Sequence, residues 1–214
     1  MKKLLFIALM LIFAFISQSA YAQFRTDSNT VTTKVGNPFI SNQKLGVVAA
    51  ELATIIGTAC SGAVTGNNIS CMQGLSLPNV PNKDLAISEI IRSATANYCD
   101  DNNTSLGTCL QCVGFVQGAV GGALGTYLNN GGNAKDFSTN VPSGYQYIQA
   151  SSGTPVAEGD IIIKTGGGFG HIAIVTRVYD STLIQVAEAN FNYGGQVGLN
   201  NTALSLWNGW LRKQ

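Results

Sequence analysis

Apolar residues recur along the chain with two different periods. Residues 45–58 are apolar and alanine-rich. In 84–98 the positions Leu85, Ile87, Ile90, Ile91 and Ala94 approach helical spacing. Residues 112–128 repeat that spacing with apolar side chains at 113, 115, 116, 119, 120, 123, 124 and 127. These three stretches predict helices. After Val141-Pro142 the period changes: 160–165, 171–179 and 182–189 are rich in Ile and Val and predict strands, with a final strand over 207–212. Helices first and strands afterwards predict an α+β domain with an antiparallel meander. Residues 23–42 read as an extended arm, 60–81 as a long irregular connection and 100–107 as a polar loop.

The third helix carries glycine at 114, 118, 121, 122 and 125. Each interior glycine costs roughly 0.5–1 kcal/mol relative to alanine. Close approach to a sheet or a second helix is the compensation expected. Gly118 and Gly122 also fit the small-x-x-x-small spacing of membrane helix pairs, but Gln111, Gln117 and the glycines make a poor spanning segment. Gly166-Gly167-Gly168-Phe169-Gly170 precedes a strand, so it reads as a hairpin connection and not as a phosphate cradle.

The first 22 residues read as a secretory signal peptide: Lys2 and Lys3, 13 uncharged apolar residues over 4–16, then Ala20-Tyr21-Ala22 as the cleavage site. The run is too short for a bilayer core of about 30 Å. An exported chain beginning at Gln23 is expected, with no stable membrane insertion after cleavage, in a compartment that permits disulfides. Charged residues make up 11% of the 214 and the net charge is +1, so no basic surface supports nucleic-acid binding.

Five cysteines and a single histidine restrict the chemistry. Short loops favour Cys60 with Cys71 and Cys99 with Cys109, among several possible pairings. Cys112 is then the odd thiol, at the start of the glycine-rich helix, where backbone N–H groups and the helix dipole favour its anion. Such a residue is either a nucleophile or a small buried apolar side chain. A cysteine nucleophile needs a base, and the chain supplies only His171. A hairpin turning at Asp180-Ser181 brings Glu188 near the level of 171–173, and alternation puts Asn190 on the same face as Glu188. One histidine and scattered cysteines give no zinc spacing.

These residues resemble the CHAP family, the cysteine, histidine-dependent amidohydrolases/peptidases with a papain-like core. The resemblance runs from about residue 98 to 212. It is carried by Gln111-Cys112-Val113-Gly114-Phe115-Val116, Pro155-Val156-Ala157-Glu158-Gly159-Asp160-Ile161-Ile162, Gly170-His171-Ile172-Ala173-Ile174-Val175, Val186-Ala187-Glu188-Ala189-Asn190 and Gly209-Trp210-Leu211-Arg212, in that order. It implies Cys112 as nucleophile, His171 as base, Glu188 as the residue that orients it, and Asn190 as a further catalytic polar group. It also implies an amide bond of peptidoglycan as substrate and no metal or organic cofactor. Gln111, Phe169 and Trp207 are the expected substrate contacts. The expected organisation is a signal peptide over 1–22, a helical and irregular segment over 23–97 and a catalytic domain over 98–214. Residues 23–97 fit no recognised wall-binding pattern.

Two rival classes stand beside this reading. Cys109-Leu110-Gln111-Cys112 is a C-x-x-C at a helix start, as a thiol–disulfide oxidoreductase requires, although no clear strand precedes it. A non-catalytic wall-binding module would use Phe191, Tyr193, Trp207 and Trp210 to line a sugar groove. The oxygen-bearing side chains of 100–105 also suggest a calcium loop, but the glycine falls at the wrong offset for an EF-hand.

Overall fold

The computed structural model describes residues 38–99, 107–128, 132–191 and 194–214. The expected signal peptide, the arm up to residue 37, the calcium-loop candidate over 100–105 and Tyr193 all lie outside the described residues. Asn37–Gln214 forms one compact unit.

Among the described residues three α-helices precede a six-stranded sheet: α1 Pro38–Ala59, α2 Lys83–Ala96 and α3 Cys112–Leu124. α1 begins at Pro38, inside the stretch expected to be an extended arm. Proline suits the first helical turn, where a missing N–H breaks no helical bond. The helix ends where Ser61 and Gly62 take left-handed φ of 56° and 90°, with Gly62 N–H donating to the Gly57 carbonyl at 2.6 Å. α3 stops at Leu124, short of the expected 128, because Gly125 caps it in the left-handed region. The buried Gln117 side chain then holds both backbone groups of Leu128, at 2.8 and 2.7 Å.

Three of the α3 glycines, 114, 118 and 122, face α2. A Cβ at Gly118 would lie 2.7 Å from Ile90 Cγ1, and one at Gly122 3.0 Å from Ala86 Cβ; one at Gly114 would collide with Ser93. Positions 114, 118 and 122 therefore form the groove that admits α2, and the glycine stripe is a helix-packing device inside this unit.

The strands are β1 Tyr145–Gln149, β2 Ile161–Lys164, β3 His171–Val178, β4 Leu183–Ala189, β5 Val197–Ala203 and β6 Gly209–Lys213. All neighbours pair antiparallel in the order β1-β6-β2-β3-β4-β5. The expected simple meander holds only for β2 to β5. The last strand returns to insert between β1 and β2. β1 and β5, the two sheet edges, have no counterpart among the strands expected from sequence.

Both faces of the central sheet are buried. Ile161, Ile163, Ile172, Ile174, Ala187 and Leu211 pack under the helices with Leu45, Leu52, Ile56 and Phe115. Ile162, Ala173, Val175, Ile184, Val186 and Trp210 pack on the opposite face with Ile148 and Trp207. This double burial explains why β2 is a continuous Ile run and not an alternating one. α1 and α2 share the first core with the sheet, so the described part of 23–97 is built into the same unit as the segment beginning at 98.

A buried ion pair closes the β2–β6 seam. Asp160, just before β2, receives Arg212 Nε at 2.9 Å and Nη2 at 2.6 Å, and the Ala157 N–H at 2.7 Å. Two of the motif pieces singled out in the sequence, around Asp160 and Arg212, meet here in a structural contact.

Candidate active site

Cys112 is the first residue of α3, half-buried, and is the free cysteine among the described residues. Cys60 is bridged to Cys71 and Cys99 to Cys109. Cys109 is thus engaged away from Cys112, and the C-x-x-C is not closed as a pair. The chain entering α3 is fixed from several sides. Cys109 N–H donates to the Asn97 carbonyl at 2.7 Å, and Leu110 N–H to the Val64 carbonyl at 3.0 Å. Gln111, the residue before the thiol, donates from its amide to the Tyr98 carbonyl and accepts from Asn190 Nδ2 at 2.7 Å.

His171 opens β3 directly after the glycine loop. Gly170 has φ 74°, and a Cβ there would lie 2.5 Å from the Lys164 carbonyl oxygen and 2.7 Å from Lys135 N, so the tight entry into β3 requires glycine. The register Ile174 with Ala187 and Val175 with Val186 carries Glu188 to the same face as His171, one pleat step away. His171 Nε2 lies 2.6 Å from Glu188 Oε2. Glu188 is 6% exposed. Its other oxygen, Oε1, accepts from Asn200 Nδ2 at 3.0 Å.

Cys112 is the imidazole's other electrostatic partner and, like Glu188, favours its charged form. Burial is the largest single influence on the His171 pKa and pushes it down. The favourable interactions with Cys112 and Glu188 together outweigh burial and hold it at about 9, above the ordinary 6.5. The ring is therefore cationic at neutral pH.

The remaining expected site residues fall in different places. Trp207 is buried, with its ring centroid 5.9 Å from that of His171. Phe169 is 52% exposed on the loop two residues before His171. Asn190 does not join the imidazole: its amide holds Gln111, and its oxygen accepts from Gly195 N–H at 3.0 Å. It takes a left-handed φ of 57° where β4 ends. Trp210 is a core residue, 1% exposed, so the four aromatics do not line one groove. Asn200 was not singled out by sequence. Its signal is the inward alternation of 198, 200 and 202 in a stretch too polar to read as a strand. Two surface hollows lie elsewhere, one beside Tyr147, Ile148 and Arg212 and one over 80–85.

Residues 100–190 match the CHAP domain family. The matched stretch is somewhat under half of the chain. The matched stretch contains Cys112, His171, Glu188 and Asn190, and it ends before β5. A 111-residue portion is 32% identical to the Staphylococcus aureus staphylococcal secretory antigen ssaA2, covering 52% of this chain and 38% of that protein. The chain thus spans well under half the length of these staphylococcal relatives. Among solved structures, the wild type endolysin LysIME-EF1 aligns at 21% identity over 63% of this chain and 64% of its own, with a TM-score of 0.42. The crystal structure of Ly7917 with the hydrolyzing product of MDP aligns at 16% identity over 81% and 62%, with a TM-score of 0.39. The helix bearing the thiol and the strands bearing the imidazole and carboxylate belong to one core, which also takes in α1 and α2 from outside the matched stretch.

Proposed function

We propose that this chain is an exported peptidoglycan hydrolase that cleaves an amide bond, between glycan and stem peptide or within the peptides, with Cys112 as nucleophile. One observation carries the reading: the chain's single histidine has its Nε2 2.6 Å from a buried carboxylate and the free thiol at the start of α3 as its other electrostatic partner. A nucleophile, a base and a residue that orients the base are the parts that acyl transfer through a thioester requires. The staphylococcal relative is named a secretory antigen, which agrees with export.

The chemistry follows from these roles. The Cys112 thiolate attacks the amide carbon, and the carbonyl electrons move to oxygen. Backbone N–H groups at the start of α3, where no side-chain cap engages them, stabilise that oxyanion. The His171 imidazolium gives its proton to the departing amine, and the C–N bond breaks to leave a thioester. The neutral imidazole then takes a proton from water, whose oxygen attacks the thioester and releases the carboxylic acid and the thiolate. Glu188 keeps the ring in the tautomer and orientation both steps need.

Digestion of purified peptidoglycan with the exported protein, followed by mass analysis of the fragments, tests this. New alanine amino termini from the glycan–peptide link, or new amino termini within the stem, are expected, and Cys112→Ala should produce neither. Digestion by Cys112→Ala would overturn the assignment.

A further inference from the structure

We propose that Asn200 is a positioning residue for the catalytic imidazole, acting through Glu188. This rests on the reading of Cys112, His171 and Glu188 as the hydrolytic centre.

The carboxylate of Glu188 is held at both oxygens. Oε2 meets His171 Nε2 at 2.6 Å, and Oε1 meets Asn200 Nδ2 at 3.0 Å. An ionised carboxylate only accepts, so the asparagine must present its NH₂ group to it. The terminal torsion of a glutamate is broad and roughly two-fold, so a carboxylate tethered through one oxygen can swing. Two fixed donors on two different strands define its plane, and that plane sets the direction in which His171 is pulled. Glu188 is buried, so an unpaired Oε1 would leave a charged acceptor without water.

The strand register makes this contact reproducible. β4 and β5 pair without a bulge, with Val186 opposite Asn200 and Glu188 opposite Gly198. Asn200 is therefore the diagonal same-face neighbour of Glu188, within reach of a side chain of its length. Gly198, directly across from Glu188, presents no side chain to compete. The next inward residue, Thr202, accepts from Trp207 Nε1 at 3.3 Å, and the Trp207 ring stands 5.9 Å from the imidazole. Successive inward positions of β5 thus support the two neighbours of His171. Asn190, the polar residue expected to assist, is occupied by Gln111 and Gly195. Asn200 lies beyond the 100–190 match and outside every motif piece quoted from the sequence.

His171 is the only histidine, so its ring protons can be followed by NMR without ambiguity in the full exported chain. Asn200→Leu keeps the number and branching of side-chain heavy atoms and removes the donor; Asn200→Ser, too short to reach, gives the same readout should the leucine variant not fold. The His171 titration midpoint should fall from about 9 toward 6.5. Turnover of a soluble peptidoglycan fragment should drop on the order of tenfold, the loss expected for one hydrogen bond to a charged group, with KM changed less than about twofold. In a Glu188→Gln background the same replacement should add little to either loss. An unmoved or raised midpoint in the single variant overturns the proposal. So does a full further loss in the Glu188→Gln background, because Asn200 would then act by another route. The titration needs no substrate: a midpoint that moves in a protein without hydrolase activity sustains the Asn200 link and rejects the hydrolytic reading instead.

Discussion

His171 Nε2 and Glu188 Oε2 stand 2.6 Å apart although 17 positions separate the two residues in the chain. The β3–β4 hairpin closes that gap, and its turn is fixed by Asp180 Oδ1 accepting from the backbone of Thr182 and Leu183 at 2.7 and 2.9 Å. Under the proposed mechanism the imidazole and carboxylate act as one unit. Replacing either His171 or Glu188 should therefore lower kcat more than it raises KM, and the double replacement should be little worse than the worse single one. Strictly additive losses in a steady-state assay on soluble fragments would mean that the two act separately.

The pH dependence of stability follows from the same contact. The folded His171 holds its proton up to about 9, whereas in the unfolded chain it titrates at its ordinary 6.5. The stabilisation is fully present below pH 6.5 and is lost as pH rises through about 9. The melting-temperature advantage of the native protein over His171→Gln should narrow steadily between these two values. A constant gap measured by circular dichroism across that range would contradict the pairing.

The α2–α3 contact predicts an asymmetry among glycines. Gly118→Ala places a Cβ 2.7 Å from Ile90 Cγ1 and 3.0 Å from the Ala86 carbonyl oxygen, in a packed groove. Overpacking of this kind costs about 1–3 kcal/mol, and each kcal/mol lowers Tm by about 2–4 °C in a domain of this size. Gly168→Ala, in the open β2–β3 loop where nothing lies within 4 Å of the new Cβ, should leave Tm almost unchanged. Equal effects in a thermal melt would refute the groove.

Asp160 is fully buried and depends on Arg212 for compensation. Burial pushes its pKa up, against the pull of Arg212 and the Ala157 N–H. Arg212→Leu strands that carboxylate and should destabilise by about 3–5 kcal/mol at neutral pH. The loss should shrink in acid, where Asp160 can take up a proton, and should be smaller in Asp160→Asn/Arg212→Leu than in the single variant. Urea denaturation at two pH values checks both statements.

The helical periods, the Ile- and Val-rich strands and the α+β order were legible in the chain itself, because each depends on local burial of one face or on a continuous buried run. So was the proximity of His171 and Glu188, since a short hairpin leaves little choice of register. The glycines of α3 announced a close neighbour without saying which, as a missing side chain carries no partner's name; only packing identified Ser93, Ile90 and Ala86. The edge strands β1 and β5 escaped notice for a related reason. A strand with one neighbour and one wet face needs few apolar residues, and pairing along β4 defines β5 through the seven-residue ladder 183–189 with 197–203. Asn190 and Asn200 show where sequence reasoning stops. Both are asparagines near the end of the hairpin, and the spacing favoured Asn190. The left-handed turn at Asn190 aims its amide at Gln111, while the β4–β5 register, a property of the assembled sheet, delivers Asn200 to the carboxylate.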